Sequence, residues 1–154
     1  MKRTRIVAPV TPADYRLLAE RRLPRFLFDY ADGGANDELT MAANAADFAH
    51  LRLRQRVMRD VSAIDTSSSL AGQPVSMPLA LAPVGMAGMF SRRGEVTGAR
   101  AAERAGVPFA LSTVGVCTLA ELHAATARPA WFQLYMLRDR GVVNALLARA
   151  REQG

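Results

Sequence analysis

Three short apolar runs in the second half of the chain constrain its fold more than any other feature. They cover residues 77–83, 107–111 and 130–136, and nearly every side chain in them is apolar. Runs of this length without alternation are typical of parallel strands that are buried on both faces. A stretch with helix signals follows each run, so the sequence predicts three successive βα units.

The helices of these units carry recognisable start and stop signals. The first is predicted over residues 95–105 and ends at Gly106, because glycine accepts the left-handed conformation found at many helix ends. Thr118 and Glu121 form a Thr-x-x-Glu capping box at the start of the second helix. Asp139 can cap the third.

The first half of the chain predicts further helices. One begins after Thr11, which can cap it, and another covers residues 24–32. Gly33 is expected to stop that second helix in a left-handed conformation. Asn36 is expected to cap a third helix. Residues 51–58 alternate apolar and basic side chains, which predicts a half-exposed strand.

Two architectures repeat right-handed βα units: the open doubly wound sheet and the closed eightfold barrel. The dinucleotide-binding form of the open sheet carries G-x-G-x-x-G after its first strand, and residues 83–88 lack that spacing. A closed barrel needs about 250 residues, so 154 residues could form only part of one. From the residues alone, both architectures remain open.

In either architecture, functional groups gather at the carboxyl ends of the parallel strands. Those ends carry Gly85, Ser112 and Gln133, together with neighbouring apolar and hydroxyl side chains. Neutral hydrogen-bonding groups of this kind suit a planar heteroaromatic ring, of which a flavin is one example. The alternative interpretation is that Ser112 and Gln133 only satisfy buried backbone groups.

Other kinds of chemistry have little support in the sequence. Neither histidine, His50 or His123, belongs to a metal-binding motif, and we expect both at the surface. Ser112 lacks the Gly-x-Ser-x-Gly context of a serine nucleophile. Cys117 is the only cysteine, so it forms no internal disulfide; we expect a structural thiol and a cytoplasmic protein.

The net charge of +6 leaves three interpretations of the protein surface. An arginine-rich surface without a dedicated partner is the first, and attraction to anionic lipid or an anionic ligand is the second. Nucleic acid ranks last, because the basic residues are dispersed and not interleaved with aromatic ones, so we expect no nucleic-acid partner. Residues 1–10 contain no apolar run that could form a signal peptide or a membrane span.

Taken together, four segments resemble the FMN-dependent 2-hydroxy-acid dehydrogenase and oxidase family in both order and spacing. They are residues 28–38, 81–86, 111–113 and 131–135. Two further segments are most similar to the bacterial L-lactate dehydrogenase branch of that family. They are residues 89–95 and 137–141.

The resemblance implies an α/β fold that is the amino-terminal portion of a TIM (β/α)8 barrel. Residues 77–154 would form the first three βα units of an incomplete FMN-binding barrel. Residues 1–76 would form helices and short strands that cap it. The implied activity is FMN-dependent oxidation of an L-2-hydroxy acid, with L-lactate as the first expected substrate.

The resemblance also implies a set of residues that bind FMN. The backbone of Pro83, Val84 and Gly85 would lie against the flavin ring. Ser112 and Gln133 would hydrogen-bond the polar edge of the ring. FMN is the expected cofactor, and no metal is expected.

Substrate binding is implied for two tyrosines. Tyr30 would reach the substrate carboxylate, and Tyr135 would hydrogen-bond the substrate near its reacting hydroxyl. The alternative for both is a core tyrosine with a satisfied hydroxyl. Val114 stands where many oxidases of the family carry a bulky aromatic residue, so mandelate or a longer 2-hydroxy acid stays open.

The resemblance places the main catalytic groups outside this sequence. A histidine base, an arginine and a lysine lie in the later barrel strands of family members, so the catalytic base is expected beyond residue 154 and the chain alone is expected to be inactive. The implied partners are a small-molecule 2-hydroxy acid and a respiratory electron acceptor, quinone or cytochrome. The full-length protein is expected to be a homo-oligomer, cytoplasmic or peripheral on the inner face of the cell membrane.

Two alternatives accompany this interpretation. The first is another FMN-binding or phosphate-binding βα-barrel enzyme, which would not need the Tyr30 segment. The second is a basic, non-catalytic interaction domain that docks on a membrane or a nucleic acid. Salt-dependent binding to anionic vesicles or DNA, without flavin, would favour the second.

Overall fold

The computed structural model describes residues 8–153. The chain divides into two compact units, Met1–Asp60 and Val61–Gly154. The predicted division at residue 76 stays a prediction. The helices of the described residues are α1 (Pro12–Arg22), α2 (Arg25–Asp32), α3 (Leu39–Ala46), a 3₁₀ turn (Asp47–His50), α4 (Ala87–Phe90), α5 (Gly94–Ala105), α6 (Leu119–His123) and α7 (Arg140–Glu152). The strands are β1 (Ser68–Leu70), β2 (Gln73–Val75), β3 (Ala110–Ser112) and β4 (Trp131–Gln133).

The first unit consists of α1, α2, α3 and the 3₁₀ turn. Thr11 caps α1 through a reciprocal capping box with Asp14, which confirms the predicted helix start. The Arg16 guanidinium donates two hydrogen bonds to the Asp32 carboxylate, and the Nη2 to Oδ2 bond is 2.6 Å long. Leu27 is the buried residue of α2. The ion pair between α1 and α2 thus fixes their relative orientation more specifically than their small apolar contact would.

Three details predicted for this unit are wrong. Gly33 ends α2 with φ of −79°, which is not left-handed. Glycine is favoured there for space, because a Cβ on Gly33 would lie 2.9 Å from the Asp29 carbonyl oxygen. Glu38, not Asn36, precedes α3 directly. Residues 51–58 form no strand, and Leu53 is 96% exposed. In the part of the chain that the structure describes, none of these residues pairs with a strand, and an alternating pattern alone cannot form a strand without a hydrogen-bonded partner.

The second unit contains the predicted βα units. The antiparallel hairpin of β1 and β2 comes first, with Ser68 opposite Val75. β3 then pairs in parallel with β4, and Phe109 forms a parallel bridge with Leu81. The parallel pairing of all three predicted strand segments is therefore confirmed.

The first parallel strand is shorter than predicted. Of residues 77–83, only Leu81 makes a β-bridge. Pro78 and Pro83 explain this, since proline has no N–H to donate to a ladder. Leu81 makes both ladder bonds: its N–H, which a proline would lack, donates to the Pro108 carbonyl, and its own carbonyl accepts from the Ala110 N–H.

The helices of this unit begin and end as predicted. Gly106 ends α5 with a left-handed φ of 68°. Thr118 and Glu121 form the predicted capping box of α6. Asp139 accepts from the N–H groups of the first turn of α7.

The core lies where α5 and α6 pack against β3. Its members are apolar and nearly inaccessible to water: Val96, Ala99, Leu111, Cys117 and Leu122. All three residues of β3 are buried, whereas those of β4 are half-buried. β3 is therefore the central strand, and its carboxyl end at Ser112 opens onto the predicted site.

Candidate active site

The carboxyl ends of β3 and β4 bring two predicted site residues into contact. Ser112 and Gln133 end these strands and are partners in the parallel register. The Ser112 hydroxyl donates a hydrogen bond to Gln133 Oε1 over 3.1 Å, and the Thr113 N–H donates to the same oxygen over 3.4 Å. Ser112 is only 5% exposed. The two side chains therefore hold each other in fixed orientations at the rim of the sheet.

Part of this hydrogen bonding satisfies backbone groups, as the alternative interpretation expected. The Val114 N–H donates to Ser112 Oγ over 3.3 Å. The Thr113 hydroxyl donates to the Gln133 carbonyl, and the Tyr135 N–H donates to Thr113 Oγ1 over 3.0 Å. Thr113 thus joins the strand ends and directs the chain toward Tyr135.

Gly85 lies against the next loop of the same rim. A Cβ on Gly85 would come within 2.9 Å of a Val114 methyl carbon and 3.9 Å of Ser112 Oγ. The adjacent Met86 N–H donates to the Val114 carbonyl over 3.0 Å. Only a residue without a side chain allows the two loops to approach this closely.

The remaining predicted site residues are divided between the two units of the chain. Pro83 and Val84 are exposed in the loop that precedes Gly85, and Tyr135 is exposed just after β4. The structure therefore places six of the seven predicted site residues in the second unit. Tyr30 lies on α2 of the first unit and is 65% exposed, so the alternative of a core tyrosine does not hold for it. Its contact with a substrate stays a prediction.

The fit of the rim to FMN depends on which of its hydrogen-bond donors have no partner within the protein. Gln133 Oε1 accepts two hydrogen bonds, whereas its Nε2 amide donates none within residues 8–153. Val84 and Val114, on the two neighbouring loops, are each about half exposed. A free donor beside an open apolar surface matches the carbonyl-bearing edge and the flat face of a flavin ring. The residues present therefore fit FMN.

Sequence reasoning missed one residue that organises this rim. Glu95, in the first turn of α5, is only 1% exposed. Its Oε1 accepts from the Val116 N–H over 2.8 Å and from the Gly88 N–H over 3.1 Å. Its Oε2 accepts no hydrogen bond of ordinary geometry from the described residues. A glutamate in the first turn of a helix usually faces solvent, where its negative charge interacts favourably with the helix dipole. No local signal therefore indicated that Glu95 is buried.

The carboxylate of Glu95 is held in its charged form. Burial raises its pKa, but the N–H groups of Val116, of Glu95 itself and of Gly88, together with the Cys117 thiol, lower the pKa below the ordinary value of 4.5. Such donors favour the ionised carboxylate, and here they outweigh desolvation.

We expect Glu95→Gln to destabilise the protein at neutral pH by an amount that shrinks at acid pH. Because the folded pKa lies below 4.5, the ionised group contributes stability that is present above that pH and lost as pH falls through the folded pKa. Urea unfolding of both proteins, followed by Trp131 fluorescence between about pH 7 and about pH 3, measures the difference. A difference that stays constant across this range would contradict a stabilised carboxylate.

The Cys117 thiol lies in the same buried environment. Burial raises its pKa, and the hydrogen bond to Glu95 and the charge of that carboxylate raise it further. A thiol with a raised pKa forms little thiolate at neutral pH and is a poor nucleophile. These surroundings agree with the interpretation of Cys117 as a structural thiol.

Some of the positive charge gathers in an open cleft of about 660 Å³ between α5 and α6. Three arginines line it: Arg92, Arg93 and Arg100. Arg93 pairs with Glu121 over 3.6 Å, and Arg100 Nε donates to the Ala125 carbonyl over 3.3 Å. Two of the three guanidinium groups thus already have partners, which favours an arginine-rich surface over an anion site here.

Several other features of the described residues bear on function. His50 and His123 are exposed, as predicted. In residues 8–153, no group of three or more histidine, cysteine or carboxylate side chains is arranged to hold a metal ion. None of the helices in that range has the length and apolar character required to cross a bilayer.

Comparison with known proteins places these features in a family. The chain is 59% identical to an L-lactate dehydrogenase of Caulobacter sp. (strain K31) over 92% of its own length and 37% of that protein. It is 57% identical to an L-lactate dehydrogenase of Chromohalobacter salexigens, over 92% of the chain and 36% of that protein. The chain therefore spans little more than a third of the length of the curated relatives it matches.

Solved structures agree with these relatives. A soluble mutant of the membrane-associated (S)-mandelate dehydrogenase from Pseudomonas putida superimposes with a TM-score of 0.86 at 35% identity, over 92% of this chain and 40% of that one. A mandelate oxidase superimposes with a TM-score of 0.86 at 34% identity, over 96% and 43%. These likenesses confirm the predicted fold, the amino-terminal portion of a (β/α)8 barrel. A model of the FMN-dependent dehydrogenase family matches residues 19–154, and the chain belongs to that family.

Proposed function

We propose that this chain forms the amino-terminal, FMN-contacting part of an L-2-hydroxy-acid dehydrogenase that oxidises L-lactate to pyruvate. The observation that carries the proposal is the contact of Ser112 with Gln133 at the ends of adjoining parallel strands, with Gly85 packed on the next loop. The 59% identity to a bacterial L-lactate dehydrogenase supports lactate as the substrate.

The FMN-binding residues act by position and hydrogen bonding. Pro83 and Val84 are exposed and Gly85 is half-buried, and their backbone would form the surface against which the flavin ring lies. Gln133 Nε2 is free to donate to the polar edge of the ring, while Ser112 fixes the orientation of that amide by donating to Oε1. When bound, FMN would supply the acceptor for the hydride of the substrate.

The two tyrosines would bind the substrate. Tyr135 is exposed and its backbone is anchored to Thr113 Oγ1, so its phenol is available to hydrogen-bond a 2-hydroxy acid near the reacting hydroxyl. Tyr30 would contact the substrate carboxylate. Val114 is small and half exposed, which leaves room for a substrate larger than lactate, such as mandelate.

The partners, location and assembly of the full-length protein are proposed from its family. The substrate partner would be a small 2-hydroxy acid, and electrons would leave to a respiratory acceptor, quinone or cytochrome. We propose a cytoplasmic protein that lies peripherally on the inner face of the cell membrane, and similarity to a membrane-associated mandelate dehydrogenase supports the association with a membrane. We also propose a homo-oligomer for the full-length protein.

A chimera tests the proposal. Residues 1–154 would replace the matching part of the Caulobacter sp. (strain K31) L-lactate dehydrogenase, and the purified protein would be assayed for FMN absorbance and for flavin bleaching by L-lactate. FMN loading and bleaching are expected. A chimera that folds but retains no FMN would overturn the proposal, and one bleached only by another hydroxy acid would correct the substrate.

In that chimera, Gln133→Leu is expected to weaken FMN binding about tenfold, the equivalent of one lost hydrogen bond of about 1.4 kcal/mol. Fluorescence titration of the apoprotein with FMN measures the change. Gln55→Leu, at an exposed position of the first unit, is the matched control and should leave the affinity unchanged. Equal affinities for the two variants would remove Gln133 from the site.

A further inference from the structure

Two loops carry the FMN surface of the second unit, and three contacts join them. We call residues 84–88, which end in the first residues of α4, the first rim loop, and residues 113–117 the second rim loop. The Met86 N–H donates to the Val114 carbonyl. The other two contacts both involve Glu95, whose Oε1 accepts one N–H from each loop.

The surroundings of Glu95 are shaped around this shared acceptor. A Cβ on Gly88 would lie 2.8 Å from Val116 Cβ and 3.1 Å from Glu95 Oε2. A Cβ on Gly94 would lie 2.4 Å from the Ala87 carbonyl oxygen. The absence of side chains at these two glycines lets the start of α5 and both rim loops approach the carboxylate closely.

The cost of burying this carboxylate indicates that its position matters. A carboxylate with 1% exposure loses most of its hydration. A glutamate that only began α5 could remain in solvent, as Glu121 does in α6, where its carboxylate accepts the Thr118 N–H of its own turn. Glu95 instead accepts from residues 7 and 21 positions away along the chain.

We propose that Glu95 is a positioning residue that locks the two rim loops together and so sets the place of the Gly85 backbone against the flavin. The inference rests on the proposed function for its last clause, whereas the locking of the loops rests on the hydrogen bonds alone. Glu95 acts through the loops and has no direct role with the substrate.

The locking is tested first in the 154-residue chain by amide hydrogen exchange. Glu95→Ala removes the acceptor, so the Gly88 and Val116 amides are expected to exchange at least about tenfold faster. The Ala110 amide, which donates to the Leu81 carbonyl, reports whether the sheet remains folded. Glu95→Gln retains one carbonyl oxygen, so its Gly88 and Val116 amides are expected to exchange at rates between those of the wild-type protein and Glu95→Ala.

Glu121→Ala is the matched control for this experiment. It removes a first-turn glutamate whose carboxylate bonds only within its own capping box and to Arg93. It should release the Thr118 amide and leave Gly88 and Val116 protected. If Glu95→Ala, with the Ala110 amide still protected, leaves both rim amides at wild-type rates, the locking role is refuted.

The effect on flavin is tested in the chimera. Glu95→Gln is expected to shift the flavin absorbance maxima and to lower kcat about tenfold or more with little change in KM, because misplacement of reacting groups by about 1 Å costs up to about 10²-fold. A loss of global stability alone would reduce the amount of loaded enzyme without altering its spectrum. Wild-type spectra and kcat in the Glu95→Gln chimera would overturn the positioning role, whereas a wild-type chimera without FMN would overturn the proposed function instead.

Discussion

The 154-residue chain alone is expected to oxidise no L-lactate, whereas the chimera that completes its barrel is expected to do so. The rim groups that the structure brings together are neutral: the Ser112 hydroxyl, the Gln133 amide and the Gly85 backbone. Removal of a hydroxyl proton requires a base, and charge that develops on the flavin requires a fixed positive group. The family resemblance implies that these groups come from later strands.

The measurement is turnover of L-lactate with an artificial electron acceptor, at equal concentrations of chain and chimera. General acid–base catalysis contributes about 10²–10⁴-fold, and the loss of the remaining FMN site comes on top of that, so the signal of the chain should equal the blank. A flavin spectrum recorded on the same chain checks cofactor loading. Lactate-dependent turnover by the isolated chain would show that its own residues supply the base.

The second large effect is expected from Leu122→Ala, which should lower the free energy of unfolding by about 2–5 kcal/mol. Leu122 is 1% exposed and belongs to the cluster that joins α5, α6 and β3. Its truncation leaves a cavity that neighbouring side chains fill only in part. Because small domains are stable by about 5–15 kcal/mol, this one change removes a large share of the total.

Urea unfolding followed by the fluorescence of Trp131, the single tryptophan, measures the change. Leu79→Ala is the matched control, since Leu79 is about half exposed and outside the core cluster. Its loss should cost about 1 kcal/mol or less. Equal costs for the two substitutions would show that α6 does not seal the core.

The helix boundaries of the second unit could be predicted from the sequence because their signals are local, whereas the cap of α3 was wrongly predicted at Asn36. The capping box of Thr118 and Glu121 uses side chains and N–H groups within one turn. The same holds for Gly106, whose left-handed conformation depends on its own missing Cβ. The parallel orientation of the strands was also predicted correctly, since βα units leave few arrangements open.

What could not be predicted depends on partners far along the chain. Residues 51–58 alternate in polarity, yet none of them pairs with a strand within residues 8–153. Gln133 was placed at the rim by its position in β4, but its hydrogen bond from Ser112 required the register of two strands. Glu95 was missed because its role depends on Gly88 and Val116, which only the folded unit brings to it.

The parallel pairing of Ser112 with Gln133 also dictates when this site can form during folding. The two residues are 21 positions apart, and parallel strands can pair only through a crossover connection, which here contains α6. Closing such a connection is slower than forming the helix inside it. We therefore expect the hydroxyl–amide pair to form after the helix between its strands, and a shorter peptide that carried one strand would present either side chain without its partner.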